Sequence, residues 1–164
     1  KAIRRQRQMC IRDSYCRDAV GVGVDISTEA LKIAEENGQN LKITDRVEWR
    51  QGDYLKAFDE EDIFDGIFSN PPYIPTKDIG GLSREVKHEP RLALDGGTDG
   101  LYFYHLLAKG AAEHLKPGGF LAVEFGIGQA TDILEMFRKS AQYEDFEVIK
   151  DYGGIERALY CRKK

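Results

Sequence analysis

Asn70, Pro71, Pro72 and Tyr73 follow directly on the apolar run from Phe64 to Ser69, and their side chains suit the handling of a planar nitrogen group. A residue before proline is pushed out of the right-handed helical region, so Asn70 is held extended with its amide projecting. Pro71 and Pro72 have fixed φ and no N–H, which leaves carbonyls as the polar groups of a rigid corner. An Asn amide carries one acceptor and two donors, and beside those carbonyls it can take both hydrogens of an NH2 group. Tyr73 can stack on the flat face of that group. Asn-Pro and Pro-Pro are also strong turn markers. What lifts the tetrapeptide above a surface turn is its place at a strand end, where open α/β sheets bind ligands.

Two further strand ends carry acids. Asp25 closes the run Ala19 to Asp25 (AVGVGVD), where an acid in a nucleotide-binding sheet accepts from ribose hydroxyls; its plainer role is to start the helix that Ser27 caps. Asp53 follows the next strand and can accept from an adenine amino group, with Tyr54 beside it offering a ring to pack on the base. A Gly-Asp pair is also a common turn, so the weight rests on Asp25, Asp53 and Asn70 ending three strands at one mouth.

The elements that must position these residues alternate. The strand Ala19 to Asp25 leads to a helix capped by Ser27, with Glu29 in its first turn and Ala30, Leu31, Ala34 and Leu41 as its apolar stripe. Strands follow at Val47 to Gln51 and Ile63 to Ser69. Residues 74–100 lack periodicity and are rich in Gly, Asp, Lys and Pro, which predicts a long loop of the lid type. A helix is expected over Leu101 to Leu115 with Leu101, Tyr104, Ala108, Ala111 and Leu115 on one face, and Lys116-Pro117-Gly118-Gly119 turns it into a strand from Phe120 to Phe125. Ala130, Ile133, Leu134, Phe137 and Ala141 stripe another helix. The strands Phe146 to Asp151 and Arg157 to Arg162 close the chain as an antiparallel pair, because their connection is short. This order predicts an α/β fold with a mostly parallel sheet.

The 164 residues suffice for one domain with one core. Of 24 Lys/Arg and 28 Asp/Glu, six and one fall in residues 1–17, leaving 18 basic against 27 acidic side chains in the remaining 147. An acidic body matches a phosphate backbone poorly, which makes nucleic acid an unlikely partner and suits a cationic small molecule. No apolar run reaches membrane-spanning length and no signal-type segment is present, so the expected location is cytoplasmic and no membrane partner is expected. Cys10, Cys16 and Cys161 have no zinc-type spacing, and His88, His105 and His114 form no ligand pair, so neither disulfide nor metal is expected. His88 and His105 are expected to be structural or solvated, and Glu89 and Arg91 to brace the loop.

VGVDIS (22–27), QGD (51–53), FSNPPYIP (68–75), HEPRLALDGGTDGLYFY (88–104), LKPGGFLAVEFGIGQ (115–129) and DYGGIERALYCR (151–162) together resemble the catalytic domain of class I S-adenosylmethionine-dependent methyltransferases. Within that class they are similar to the HemK-type protein-(glutamine-N5) methyltransferases, which modify peptide chain release factors. The resemblance covers about residues 19–164. It implies a Rossmann-like sheet with a terminal antiparallel strand pair, S-adenosyl-L-methionine as cofactor and a release factor as protein partner. It further implies that Asp25 holds the cofactor ribose, that Asp53 and Tyr54 border its adenine, and that Asn70, Pro71, Pro72 and Tyr73 hold the substrate amide, with Asn70 also beside the cofactor.

The family opens this domain with a strand and a glycine-rich loop. Residues 1–18 contain five arginines, no glycine and no apolar run, so they are expected to be a non-native or disordered basic arm, and 19–164 a partial catalytic domain lacking that first strand and loop. In the parent fold the strand is central, so its loss is expected to leave two unpaired edges and to weaken folding or cofactor binding. Competing expectations are a glutamine methyltransferase of a ribosomal protein, an adenine amino methyltransferase, for which residues 18–164 supply no basic groove, and an inactive fragment. A dinucleotide-binding oxidoreductase is disfavoured, since Gly126-Ile127-Gly128 is followed by Thr131 where a third glycine would stand.

Overall fold

Small and β-branched residues alternate in Gly21–Asp25 and give the first strand, β1, which a turn at Ile26 and Ser27 stops. In the computed structural model, which describes residues 18–83 and 88–164, the chain divides after Asp59 into two units. The basic arm expected over residues 1–18 falls outside the described residues except for Asp18.

In the first unit the Ser27 hydroxyl accepts from the Ala30 amide at 3.2 Å and starts helix α1, Thr28–Leu41, one orphan donor of the first turn being satisfied by the cap. The Ser27 and Thr28 hydroxyls also donate to Glu29; with a backbone hydrogen bond as the largest cause, these hold its carboxyl below the usual range. β2, Val47–Gln51, pairs with β1 in parallel, with Asp25 opposite Gln51. The expected burial of this unit is only partly realised. Gly23 is the one buried residue of β1, Gly38 that of α1, and Leu41 at the end of the stripe is 44% exposed.

The second unit holds a four-stranded sheet in the order β3-β4-β6-β5: β3 Phe64–Ser69, β4 Leu115–Glu124, β5 Tyr143–Lys150 and β6 Glu156–Lys163. β3 and β4 are parallel, whereas β6 runs antiparallel to both β4 and β5. The terminal antiparallel pair is as expected, but the described pairings are half parallel and half antiparallel rather than mostly parallel. No described strand pairs with both β1 and β3, so the described strands form two sheets.

Helix α2, Tyr102–Gly110, ends earlier than its apolar face suggested, passing into a 3-10 turn at Ala111–His114. Lys116 to Gly119 is then an irregularity inside β4, because Leu115 is already in register with Phe64. The face itself is correct, with Tyr104, Ala108, Ala111 and Leu115 all buried. Helix α3, Ala130–Lys139, buries Ala130, Ile133 and Phe137, while Ala141 lies beyond it at a φ of 60°. Leu121, Val123, Phe125, Leu159 and Tyr143 complete the core.

Tyr143 donates its hydroxyl to the Leu107 carbonyl at 3.1 Å, inside that core. The same carbonyl receives the Ala111 amide, so Tyr143→Phe leaves no orphaned acceptor. The expected cost is therefore small, about 0.5–1.5 kcal/mol, measured as a lowered denaturant midpoint at unchanged slope. Cys161 is buried beside this tyrosine, and burial pushes its thiol up to about 12, so it is unreactive in the folded state. No helix among the described residues is long and apolar enough to cross a membrane.

Candidate active site

At the carboxyl end of the first unit's parallel pair, the chain brings Asp25 beside Gly52, Asp53 and Tyr54. The Gly52 amide donates to the Asp25 carbonyl at 3.1 Å, and the Asp25 side chain accepts from the Ser27 amide at 2.9 Å. Its carboxylate is thus set in a short turn at the strand end, oriented before any ligand arrives. Asp53 is exposed and paired with Lys56 at 2.7 Å. Tyr54 has a φ of 62°, a left-handed conformation that costs an ordinary residue about 1–2 kcal/mol. Gly52 is required here, since a Cβ would overlap the Ala57 Cβ. Two carboxylates and an aromatic ring at adjacent strand ends offer hydrogen-bond acceptors and a stacking surface.

In the second unit, Asn70 leaves β3 immediately after Ser69, which is opposite Val123 in β4. Pro71 and Pro72 are buried, and Asn70 and Tyr73 are half-buried. Among the described residues the Asn70 side-chain amide has no hydrogen-bond partner, which leaves two donors and an acceptor for a ligand. Asn70 to Tyr73 thus connect β3 to the loop that follows.

The long loop after it is tied down at its base. Ile74 donates to the Leu94 carbonyl at 3.0 Å and accepts from the Gly96 amide at 2.8 Å, forming a parallel bridge to Asp95, and the Thr76 amide donates to the Gly97 carbonyl at 2.8 Å. Short 3-10 turns at Thr76–Gly81 and Arg91–Ala93 structure the rest of the described loop; residues 84–87 lie outside it. Arg91 pairs with Asp95 at 3.3 Å, the bracing role expected of it. His88 lies in this loop and His105 is exposed on α2, and neither belongs to the corner.

Asp95 accepts from the Thr76 hydroxyl at 2.6 Å and the Gly97 amide at 3.1 Å. The Thr76 bond, then that from Gly97, holds its carboxyl below the ordinary value of 3.8. A carboxyl lowered by folding contributes stability at pH values above 3.8 and loses it as pH falls through the lowered value. The Gly97 amide resonance is therefore expected to titrate at a midpoint below 3.8 and to stop titrating in Asp95→Asn.

Three residues that sequence reasoning left without a role complete the corner. Gln129, just before α3, donates from Nε2 to the Tyr73 carbonyl at 3.0 Å and the Gly100 carbonyl at 3.4 Å, while its Oε1 accepts from the Gly126 amide at 2.9 Å. Gly126 admits the Tyr73 ring, since a Cβ there would lie 2.9 Å from it. Gly100 lets the chain pass against the Tyr73 carbonyl. Their glycines and glutamine are visible in FGIGQ and DGGTDG, but nothing local says what they touch.

Solved structures share this architecture. A methyltransferase from Pyrococcus furiosus superposes with a TM-score of 0.68 at 22% identity over 94% of this chain and 68% of that one. An RNA methyltransferase from Salinibacter ruber in complex with S-adenosyl-L-homocysteine gives 0.54 at 18% identity over 96% and 74%. The family described as "UPF0020: RMKL-like, methyltransferase domain" matches residues 2–78. The chain has the fold of these methyltransferases.

Its sequence is similar to those of release factor glutamine methyltransferases. It is 42% identical to the one from Moorella thermoacetica over 140 residues, 85% of this chain and 49% of the relative. It is 46% identical to the one from Bradyrhizobium diazoefficiens over 146 residues, 88% and 48%. The chain spans about half the length of the curated relatives it matches.

Proposed function

We propose that residues 19–164 form part of the catalytic domain of an enzyme that methylates the side-chain amide nitrogen of a glutamine in a peptide chain release factor. The single observation that supports this most is the Asn70 amide, fixed between a strand end and two buried prolines and without a partner among the described residues. S-adenosyl-L-methionine, when bound, supplies an electrophilic methyl carbon on a cationic sulfur. Asp25 would accept from the cofactor ribose hydroxyls, and Asp53 and Tyr54 would border its adenine.

An amide nitrogen is a weak nucleophile because its lone pair is delocalised. The Asn70 side-chain oxygen and the Pro71 carbonyl accept the two N–H bonds of the substrate NH2 group, which points the nitrogen and raises its electron density as the new bond forms. Tyr73 packs on the amide plane and Pro72 stiffens the corner. The nitrogen sheds one proton to solvent after transfer. Such a site works by positioning and electrostatics rather than by a strong base.

Calorimetric titration with S-adenosyl-L-methionine, followed by transfer of labelled methyl to a release-factor peptide containing glutamine, tests the proposal. Saturable heat and label confined to the glutamine are expected. No heat, or label entering an adenine oligonucleotide in place of the peptide, would overturn it.

A further inference from the structure

We propose that Gln129 is a positioning residue for the amide-holding corner, acting through the Tyr73 backbone rather than by touching substrate. The proposal rests on the amide-methylating function above and adds the element that sets the corner's geometry. A primary amide has two N–H donors and one acceptor, and Gln129 uses all of them on backbone: Nε2 faces the carbonyls of Tyr73 and Gly100, and Oε1 faces the Gly126 amide. The partners fix the amide's orientation, since the reverse would set an oxygen against two carbonyl oxygens. One side chain thereby joins three segments: the Asn-Pro-Pro-Tyr corner, the glycine turn at 96–100 and the loop between β4 and α3.

The consequence is steric as well as polar. The Gly126 backbone that Gln129 holds is the surface against which the Tyr73 ring lies. If the Gln129 bonds are lost, the Tyr73 carbonyl and ring are released together. Pro71 and Pro72 carry part of that shift to Asn70, because their locked φ angles leave the corner fewer ways to absorb it. Misplacing a substrate-holding group by about 1 Å can cost on the order of 100-fold in rate, so a residue with no substrate contact acquires a large effect.

Gln129→Glu and Gln129→Leu separate positioning from packing. Both keep the volume, but the carboxylate turns a donor into an acceptor facing two carbonyls. In nuclear magnetic resonance spectra of the chain, both variants are expected to broaden or split the Asn70 side-chain NH2 and Tyr73 amide signals. Affinity for a glutamine-containing peptide is expected to fall by about 10-fold or more, with Gln129→Glu at least as impaired as Gln129→Leu. Affinity for S-adenosyl-L-methionine is expected to stay within about 3-fold of wild type, and the melting midpoint within about 4 °C. A Gln129→Glu protein with wild-type Asn70 and Tyr73 signals overturns the proposal, as does a loss of peptide affinity matched by an equal loss of cofactor affinity. If the wild-type chain binds no glutamine peptide, the methylation proposal falls instead, and the Asn70 and Tyr73 signals alone decide the role of Gln129.

Discussion

Replacing Asn70 with alanine is expected to lower methyl transfer to a glutamine amide by about 100-fold to 1,000-fold while leaving the protein folded. Preorganised polar groups that meet charge as it develops in the transition state are worth this much when one is deleted. The side chain is half-buried and makes no hydrogen bond among the described residues, so its removal strands no partner. Stability should change by no more than about 0.5 kcal/mol, the usual range for a substitution that breaks no buried contact. Alanine before Pro71 also accepts the extended backbone that proline demands. Asn70→Asp keeps an acceptor and loses the two donors, so an intermediate loss is expected. Single-turnover rates with labelled cofactor, together with a thermal melt, check both halves. An Asn70→Ala protein that turns over within about 3-fold of wild type would remove the corner from the chemistry.

Gly100→Ala is expected to destabilise the second unit by about 2–5 kcal/mol, through two independent penalties. Gly100 has a φ of 79°, and left-handed backbone costs an ordinary residue about 1–2 kcal/mol. A Cβ at this position would also overlap the Tyr73 carbonyl and come within 2.8 Å of the Gln129 amide nitrogen, and forced overpacking of that kind costs about 1–3 kcal/mol. Gly118 isolates the first penalty. Its φ is 75°, but a Cβ there meets nothing within 4 Å, so Gly118→Ala should lose only about 1–2 kcal/mol. Urea unfolding of the two variants measures the difference. Equal losses would mean that the close approach of Gly100 to the corner is not a constraint.

Much of the local structure was legible because its causes lie within a few residues. Ser27, three residues before Ala30, is a preferred N-cap by residue type, and its hydroxyl accepts from the Ala30 amide. Val47–Gln51, where Val47 and Trp49 alternate with Glu48 and Arg50, and Phe64–Ser69 both form strands ahead of turn formers. Asp151 accepts from the Ile155 amide, pairs with Arg157 and accepts from the Gly153 amide, bonds that in that order hold its carboxyl below the usual range, and so the short hairpin between β5 and β6 closes as its composition requires. The end of α2 is set by long-range pairing rather than by its own periodicity. Ala111 and Leu115 sit on the helix's apolar face, yet Leu115 is claimed by β3 as a strand neighbour, a long-range pairing that overrides local periodicity. The apolar stripe of α1 is only partly covered likewise, because a stripe records what a helix can bury and not what is packed against it.

The sequence by itself determined the corner at Asn70, since proline restricts its own φ and its predecessor's wherever the chain goes, and it determined the strand-end acids and the class of fold. Only the tertiary structure decided what holds the corner in place. Gln129 reaches Tyr73 across 56 residues and Gly100 across 29, and Gly66 is required because the Phe120 ring lies over it from the neighbouring strand. Dihedral preferences act on adjacent atoms and can be read along the chain. Hydrogen bonds and close contacts depend on distances in space, which exist only once the strands have paired.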